Sequence, residues 1–500
     1  MYVGIGFFQN YKKDLQNNYK INKDNVKIFL IFSIIVIILF GKLYKMEYAT
    51  DTYQVFNFSE QEVYNQFASS GRFVSAIVFK FAKKIGMKEQ TIYAISFVLA
   101  ILCMILSLVK MYKIIKIDIN SKVLKILIPI LIVPNFFSIE LFLFIEKGIM
   151  IFGILMCIIG IENVIKFWKT SNKKYLFFSL ISMFIANCSY QGVVGIFASV
   201  LLVYILKYSK TIKEFIKNNL IIGTIYSIPA IIDYLLVKFL YKQNRLNGKI
   251  ELIESIKMLS INFLKMLKNM YGLMPKYVFI LVILFTFSIL CCKICNVDKK
   301  RIHILKFIYI FMGISVFAVA PQILQPTSNI WLVPRSTYCF ASIYGILILY
   351  LSINYTLENI DEKLIILISI FLLIFQVHGF WLIEKDRYIL NQKDYEVTMQ
   401  IIDKINKYES KTKNIISKIE VYQDSSSKYT YDGLFAVGDM NVKCYANNWS
   451  IVAILNYYLN RDLKLDDNQD LSDNFKNKEW NKFDDSQIVF CNNTMALCKY

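Results

Sequence analysis

Apolar runs about as long as a membrane is thick recur from residue 27 to residue 383, separated by shorter polar stretches. A helix rises 1.5 Å per residue, so crossing ~30 Å of hydrocarbon takes ~20 mostly apolar residues. Against that length the pattern predicts about eleven membrane spans. They are Lys27–Tyr44, Thr91–Val109, Val123–Val133, Gly148–Ile165, Tyr175–Ala186, Val193–Leu206, Leu220–Leu240, Tyr277–Cys292, Leu305–Leu324, Thr337–Leu351 and Leu364–Leu382. The third, fifth and sixth are short, so each is expected to extend into its flanks or to re-enter.

Between spans the pattern turns amphipathic. Ser59-Glu60-Gln61-Glu62 fits a capping box and starts a helix near Glu60. After Gly71, the residues Phe73, Val74, Ile77, Val78, Phe81 and Ile85 recur at helical spacing with Lys80 and Lys83 off the stripe, which predicts a helix lying in the membrane interface. A second is predicted in the loop 241–276, where Leu252, Ile253, Ile256, Leu259, Phe263, Leu267 and Met270 share a face and Glu251, Glu254, Lys257, Lys265 and Lys268 lie largely off it. The tail has a helical pattern after Asp394 and strand-like stretches IISKIEVY and SQIVFC, which predict a small α/β domain. The expected fold class is all-α polytopic: a segment 1–26, a transmembrane domain 27–383 with outer loops 45–90 and 241–276, and a domain 384–500.

Charge gives these spans a direction. The 500-residue chain carries 57 Lys and Arg against 37 Asp and Glu, a net +20. Lysines cluster in alternate loops: Lys12, Lys13, Lys20 and Lys23; Lys110 to Lys125; Lys166 to Lys174; Lys207 to Lys217; and Lys299 to Lys306. Positive loops stay in the cytoplasm, so the N-terminus is expected there, and an odd number of spans puts the tail outside a bacterial-type plasma membrane. The basic loop 241–276 disagrees, but it is long and amphipathic. Because the charge is topological, no nucleic-acid partner is expected. The first apolar run starts late, is long and lacks a small-residue cleavage site, so it reads as a retained span.

Ten cysteines are present, most of them inside spans. Cys292 and Cys295 form one CxxC with only His303 nearby, so no metal is expected. Cys444, Cys491 and Cys498 allow one disulfide in the tail. Asp233 is the clearest acid within a span, with Lys238 five residues on as its expected partner. The denser polar set lies at the outer ends of spans and suggests a cavity: Asp51, Ser70-Gly71-Arg72, Glu140, Glu146, Ser189-Tyr190-Gln191 and Pro334-Arg335-Ser336. No GxGxxG, P-loop or HExxH motif is present, which gives a soluble nucleotide-sugar donor no support.

These pieces also carry a family likeness. The Asp51 loop followed by SSGRF, then PNFFSIELFLFIEKG from Pro134 to Gly148, then NCSYQG from Asn187 to Gly192, resembles the bacterial type II glucosyltransferases that decorate O-antigen and related surface glycans. The order of the pieces carries the resemblance, and ATDTY departs from the family pattern in having one acid where many members have two. The resemblance implies a GT-C type fold and transfer of a hexosyl group, glucosyl by family, from a polyprenyl-phosphate donor to a cell-surface glycan, with no cofactor. Such transfer needs a base, positive charge on the leaving phosphate and walls for the sugar. Asp51 is the expected base, Arg72 and Arg335 the phosphate ligands, and Glu140, Glu146, Tyr190 and Gln191 the sugar or acceptor contacts. The two interfacial helices are expected to line the entry for the lipid tail. Alternatives are a surface-polysaccharide polymerase or ligase using the same cavity, and a lipid-linked sugar flippase.

Overall fold

A computed structural model describes residues 24–499 apart from 242–247, 250, 296–299, 324, 425–426, 467–470, 477 and 481. The basic positions Lys12, Lys13, Lys20, Lys23 and Lys299 lie outside the described residues.

Each predicted apolar run forms a helix. Among the described residues, eight helices are long and apolar enough to cross a membrane. They include α1 (Asp24–Tyr44), α5 (Glu89–Ile115), α8 (Lys147–Thr170), α11 (Ile212–Leu240), α14 (Lys300–Ile323) and α16 (Asn359–Thr412). The other two, α10 (Gly195–Tyr208) and α15 (Ile343–Asn354), are each lengthened at their start by 3-10 turns, Gln191–Val193 and Pro334–Ser342. Two further apolar helices are shorter, α9 (Lys174–Ser189) and α13 (Val278–Ile294). Ile34, Leu102, Leu281, Leu305 and Leu367 on these helices are exposed. An apolar surface of that extent is what hydrocarbon, not water, covers, and marks a membrane protein.

The third run behaves differently. Its helix α6 (Leu124–Ile132) has nine residues and ends where Pro134 can donate no backbone hydrogen bond. The chain then runs through a five-residue helix α7 (Ser138–Phe142) to α8, and every residue from 127 to 151 is buried. Such buried irregular backbone needs partners. Asn135 supplies several, its amide donating to Tyr338 O (3.1 Å) and Ser342 Oγ (2.9 Å) and its carbonyl accepting from Phe137 N (2.9 Å), while Gln376 donates to Pro134 O.

The amphipathic stretches form α3 (Glu60–Ala68), α4 (Phe73–Lys84) and α12 (Leu252–Asn269). The Ser59–Glu62 capping box is made, with Ser59 N donating to Glu62 Oε2 at 2.8 Å. In α4 the small or flat side of the helix, Ser75, Ala76, Phe79 and Ala82, is buried, and Ile77, Val78 and Phe81 point outward. Ile253, Ile256 and Leu264 of α12 are exposed likewise. Both helices present the apolar face that an interfacial helix lays on lipid.

The last predicted span does not end at Leu382. α16 runs unbroken for 54 residues, about 80 Å, because no proline or glycine follows Gly379 before Thr412. Its far half carries a four-stranded sheet in the order β2-β1-β4-β3, with β1 (Lys418–Gln423), β2 (Lys464–Leu465), β3 (Ile488–Cys491) and β4 (Thr494–Lys499). β1 is parallel to β2 and β4, and β3 is antiparallel to β4. The two strand-like stretches became β1 and β3. Ile401, Ile405, Ile419, Ile454 and Leu497 form the core here, with α17 (Asn448–Leu459) and Tyr53 of α2 (Thr50–Asn57). Asn57 Nδ2 donates to Ala453 O at 2.7 Å, so the sheet region holds α2.

The tail disulfide is not formed: all ten cysteines are free, and Cys444 and Cys498 are buried in separate packing layers. Unfolding the purified protein in denaturant without reductant is expected to expose ten titratable thiols; eight would mean that one bridge exists.

Candidate functional site

The polar residues at the ends of the apolar runs converge. Asp51 lies in the first turn of α2, whose start is fixed by Ala49 N donating to Thr52 Oγ1 at 3.1 Å. α3 then closes through Gly71, at φ +77°, with Gly71 N donating to Ala68 O and Arg72 N to Phe67 O, both at 3.0 Å. A side chain there would also lie 2.6 Å from Asp233 Oδ2. This left-handed turn points Arg72 into the protein, where it makes an ion pair with Glu146 at the start of α8 and lies 4.9 Å from the centre of the Tyr190 ring.

Arg335 approaches from the opposite side, on the 3-10 turn before α15. Its Nε donates to Tyr190 Oη at 3.1 Å, its Nη2 pairs with Asp439, and its guanidinium lies over the Phe144 ring. Glu140 binds both chain segments: Oε2 accepts from Arg335 N at 2.6 Å, and Oε1 accepts from Asp439 N at 3.1 Å and lies 3.5 Å from Arg335 Nη1. Burial pushes the Glu140 carboxyl up to about 7, against the pull of Arg335 and with Asp439 adding to the rise. Tyr190 thus stands between two arginines, its face on Arg72 and its hydroxyl on Arg335.

Two adjoining cavities result. The larger, about 450 Å³, has Arg72, Tyr190, Gln191, Asp233 and Arg335 at its polar end. Its other end is apolar, with Ala230 and Ile231 of α11 and Ala320 and Ile323 of α14; Ile231 and Ile323 are exposed, so this end opens between those helices. A small neighbouring cavity is lined by Asp51, Gln54, Gln66, Arg72 and Glu146, and Ser70 and Arg72 belong to both. Asp51 is close enough for its charge to act on Arg335. Arg72 Nε is buried and has no hydrogen-bond partner among the described residues.

Two expectations change. Asp233 does not pair with Lys238; its Oδ2 accepts from Gln191 Nε2 at 2.9 Å, and Lys238 lies beside the Tyr234 ring. Residues five apart face different sides of a helix, whereas those three or four apart are neighbours. The apolar side of the cavity is formed by α11 and α14, not by the two amphipathic helices. Asp439 was not foreseen: it sits in a polar loop with no periodic signal, and only folding brings it beside Arg335.

Residues 43–352 match the family model of glucosyl transferase GtrII. The chain belongs to that family. No curated protein and no solved structure matches it. Membership makes the chain a glycosyltransferase, and the GtrII match contains Asp51, Arg72, Glu140, Glu146, Tyr190, Gln191 and Arg335. It stops before α16 and the sheet, so the GtrII portion takes Asp439, which completes the Arg335 cluster, from outside the matched residues.

Gly71→Ala is expected to cost about 1–3 kcal/mol from its left-handed backbone alone and to break the Gln191–Asp233 contact, lowering both melting temperature and transfer rate; unchanged values would refute the tight turn. For Glu140 the folded carboxyl holds its proton above the unfolded value of 4.5, so its contribution to stability is present at low pH and lost as pH rises through about 7. Glu140→Gln is expected to flatten the pH dependence of thermal unfolding between about 4.5 and 7, measured on purified protein.

Proposed function

We propose that this protein transfers a glucosyl group from a polyprenyl-phosphate donor to a hydroxyl of a cell-surface glycan on the extracytoplasmic face of the membrane. The observation that carries this reading is one cavity with two arginines at its polar end and an apolar mouth between α11 and α14. A phosphate joined to a long hydrocarbon chain has that same division of polarity. The phosphate reaches Arg72 and Arg335, whose guanidinium forks match its oxygens, and the tail leaves between the helices toward lipid.

In the transfer, the acceptor oxygen forms a bond to the anomeric carbon. The bond from that carbon to the phosphate oxygen breaks, and the phosphate leaves with the electron pair. The acceptor proton goes to the Asp51 carboxylate. Buried cations aimed at the departing phosphate stabilise the charge that develops there, because little water screens them. Tyr190 and Gln191 form a wall beside the sugar. Glu140 and Glu146, expected as hydroxyl contacts, hold the arginines instead, and Glu146 also lines the small cavity beside Asp51. Residues 384–500 form the outer domain under this reading.

The test is transfer in detergent from polyprenyl-phosphate glucose to an extracted surface glycan, with uridine-diphosphate glucose as the control donor. Arg72→Ala is expected to lower the rate about 10²–10³-fold. Asp51→Asn is expected to lower it about 10²–10⁴-fold. Equal use of the soluble nucleotide donor would overturn the donor assignment. Full activity in folded Asp51→Asn and Arg72→Ala proteins would overturn the residue roles.

A further inference from the structure

A second cavity, about 340 Å³, lies between the far half of α16 and the sheet region, outside the residues matched by the family. Four lysines line it, Lys393, Lys428, Lys443 and Lys482, against two acids, Glu396 and Asp432. Its walls include Tyr431, Trp480 and Phe483. We infer that this cavity binds an anionic sugar residue of the acceptor glycan, one carrying a carboxylate or a phosphate. The inference rests on the acceptor being a glycan, as proposed above, and extends that reading to a subsite for it.

The chemistry is that of a charged saccharide rather than a bare ion. Aromatic faces pack on the apolar faces of sugar rings, and these rings are fixed in place. Tyr431 Oη donates to Asp394 Oδ1 at 2.8 Å, Trp480 Nε1 donates to Ser486 Oγ at 3.0 Å, and Trp480 N donates to Asp424 Oδ2 at 3.1 Å. The ammonium groups of Lys393 and Lys443 both lie 5.3 Å from the centre of the Tyr431 ring, so two lysines gather at one ring. Lys443 is buried, and burial pushes its ammonium down to about 8 despite Asp394, Asp424 and Asp432 nearby; a further anion beside it favours the charged form. Thr430 Oγ1 is buried at this cavity without a hydrogen-bond partner among the described residues.

Position separates this site from lipid headgroups. The cavity uses α16 positions 393 to 400, which stand roughly 16–27 Å along the helix beyond Leu382, where the apolar run ends. The headgroup layer on one side of a bilayer is only about 5–8 Å deep. The cavity also lies near the arginine site: Lys443 lines it, and Asp439, four residues earlier, pairs with Arg335. Four residues span at most ~14 Å, within reach of a short oligosaccharide.

The test is calorimetric titration of the full-length protein in phosphatidylcholine nanodiscs with trigalacturonic acid, maltotriose and inorganic phosphate. Trigalacturonic acid is expected to bind at least tenfold more tightly than either of the others. Lys393→Ala/Lys482→Ala is expected to weaken it at least tenfold with an unchanged melting temperature, and Trp480→Phe is expected to keep most of the binding. Equal binding of maltotriose overturns the charge requirement, and equal binding of phosphate overturns the sugar. Loss of binding in nanodiscs containing phosphatidylglycerol would assign the cavity to lipid headgroups and overturn the inference, as would unaltered binding in the double variant. Binding is read without turnover, so Arg72→Ala protein, impaired in transfer, is expected to bind the probe as wild type does. A protein that transfers glucose but binds no probe refutes this subsite alone.

Discussion

The architecture depends on holding two guanidinium groups in an interior that would not accept them alone. Arg72 and Arg335 are both largely buried, and each faces a carboxylate: Glu146 for the first, Glu140 and Asp439 for the second. A buried charge that loses its partner costs about 3–5 kcal/mol, so the segments bearing these partners are tied to one another by more than packing. Those segments are the loop after α3, the connection from α7 to α8, the turn before α15 and the polar loop around Asp439. Four distant parts of the chain meet because their charges have few other places to go.

The same constraint explains why the helices are interrupted where they are. A continuous third span would have carried no side chain to this point. Ending α6 at Ile132 frees backbone carbonyls in a buried place, and the side chains of Asn135, Ser342, Tyr338 and Gln376 donate to those of Ile132, Val133 and Pro134. That arrangement sets α7 against the turn before α15, where Glu140 accepts hydrogen bonds from two backbones at once. The irregular segment is therefore as firmly specified as a helix, though by side chains instead of by a repeating ladder. Gly192 belongs to the same close approach: a Cβ there would meet Arg335 O at 2.5 Å and Ser336 Cα at 2.9 Å.

One cavity has two ends of opposite polarity. The polar end is built by turns at helix ends, which can place side chains at angles no straight helix offers. The apolar end is built by α11 and α14, whose exposed Ile231 and Ile323 continue the lipid-facing surface inward. The sheet region adds rigidity from the other direction, since it grips α2 through Asn57 and Tyr53 and so fixes the helix that carries Asp51.

The sequence by itself determined the membrane helices, the two outward-facing amphipathic helices and the capping box at Ser59, because each is a local pattern whose period matches the geometry it produces. It also singled out Asp51, Arg72, Glu140, Glu146, Tyr190, Gln191 and Arg335 as candidates, since polar residues at the ends of apolar runs stand out against their surroundings. Only the tertiary structure decided who partners whom. Lys238 was the nearest cation to Asp233 along the chain but faces another side of α11, and Gln191 from a different turn took its place. Asp439 lies 104 residues beyond Arg335 in sequence, in a loop without periodicity, and no local rule ties the two together. Pairing between charges is a matter of distance in space and of burial, and neither is written in the spacing of residues along a chain.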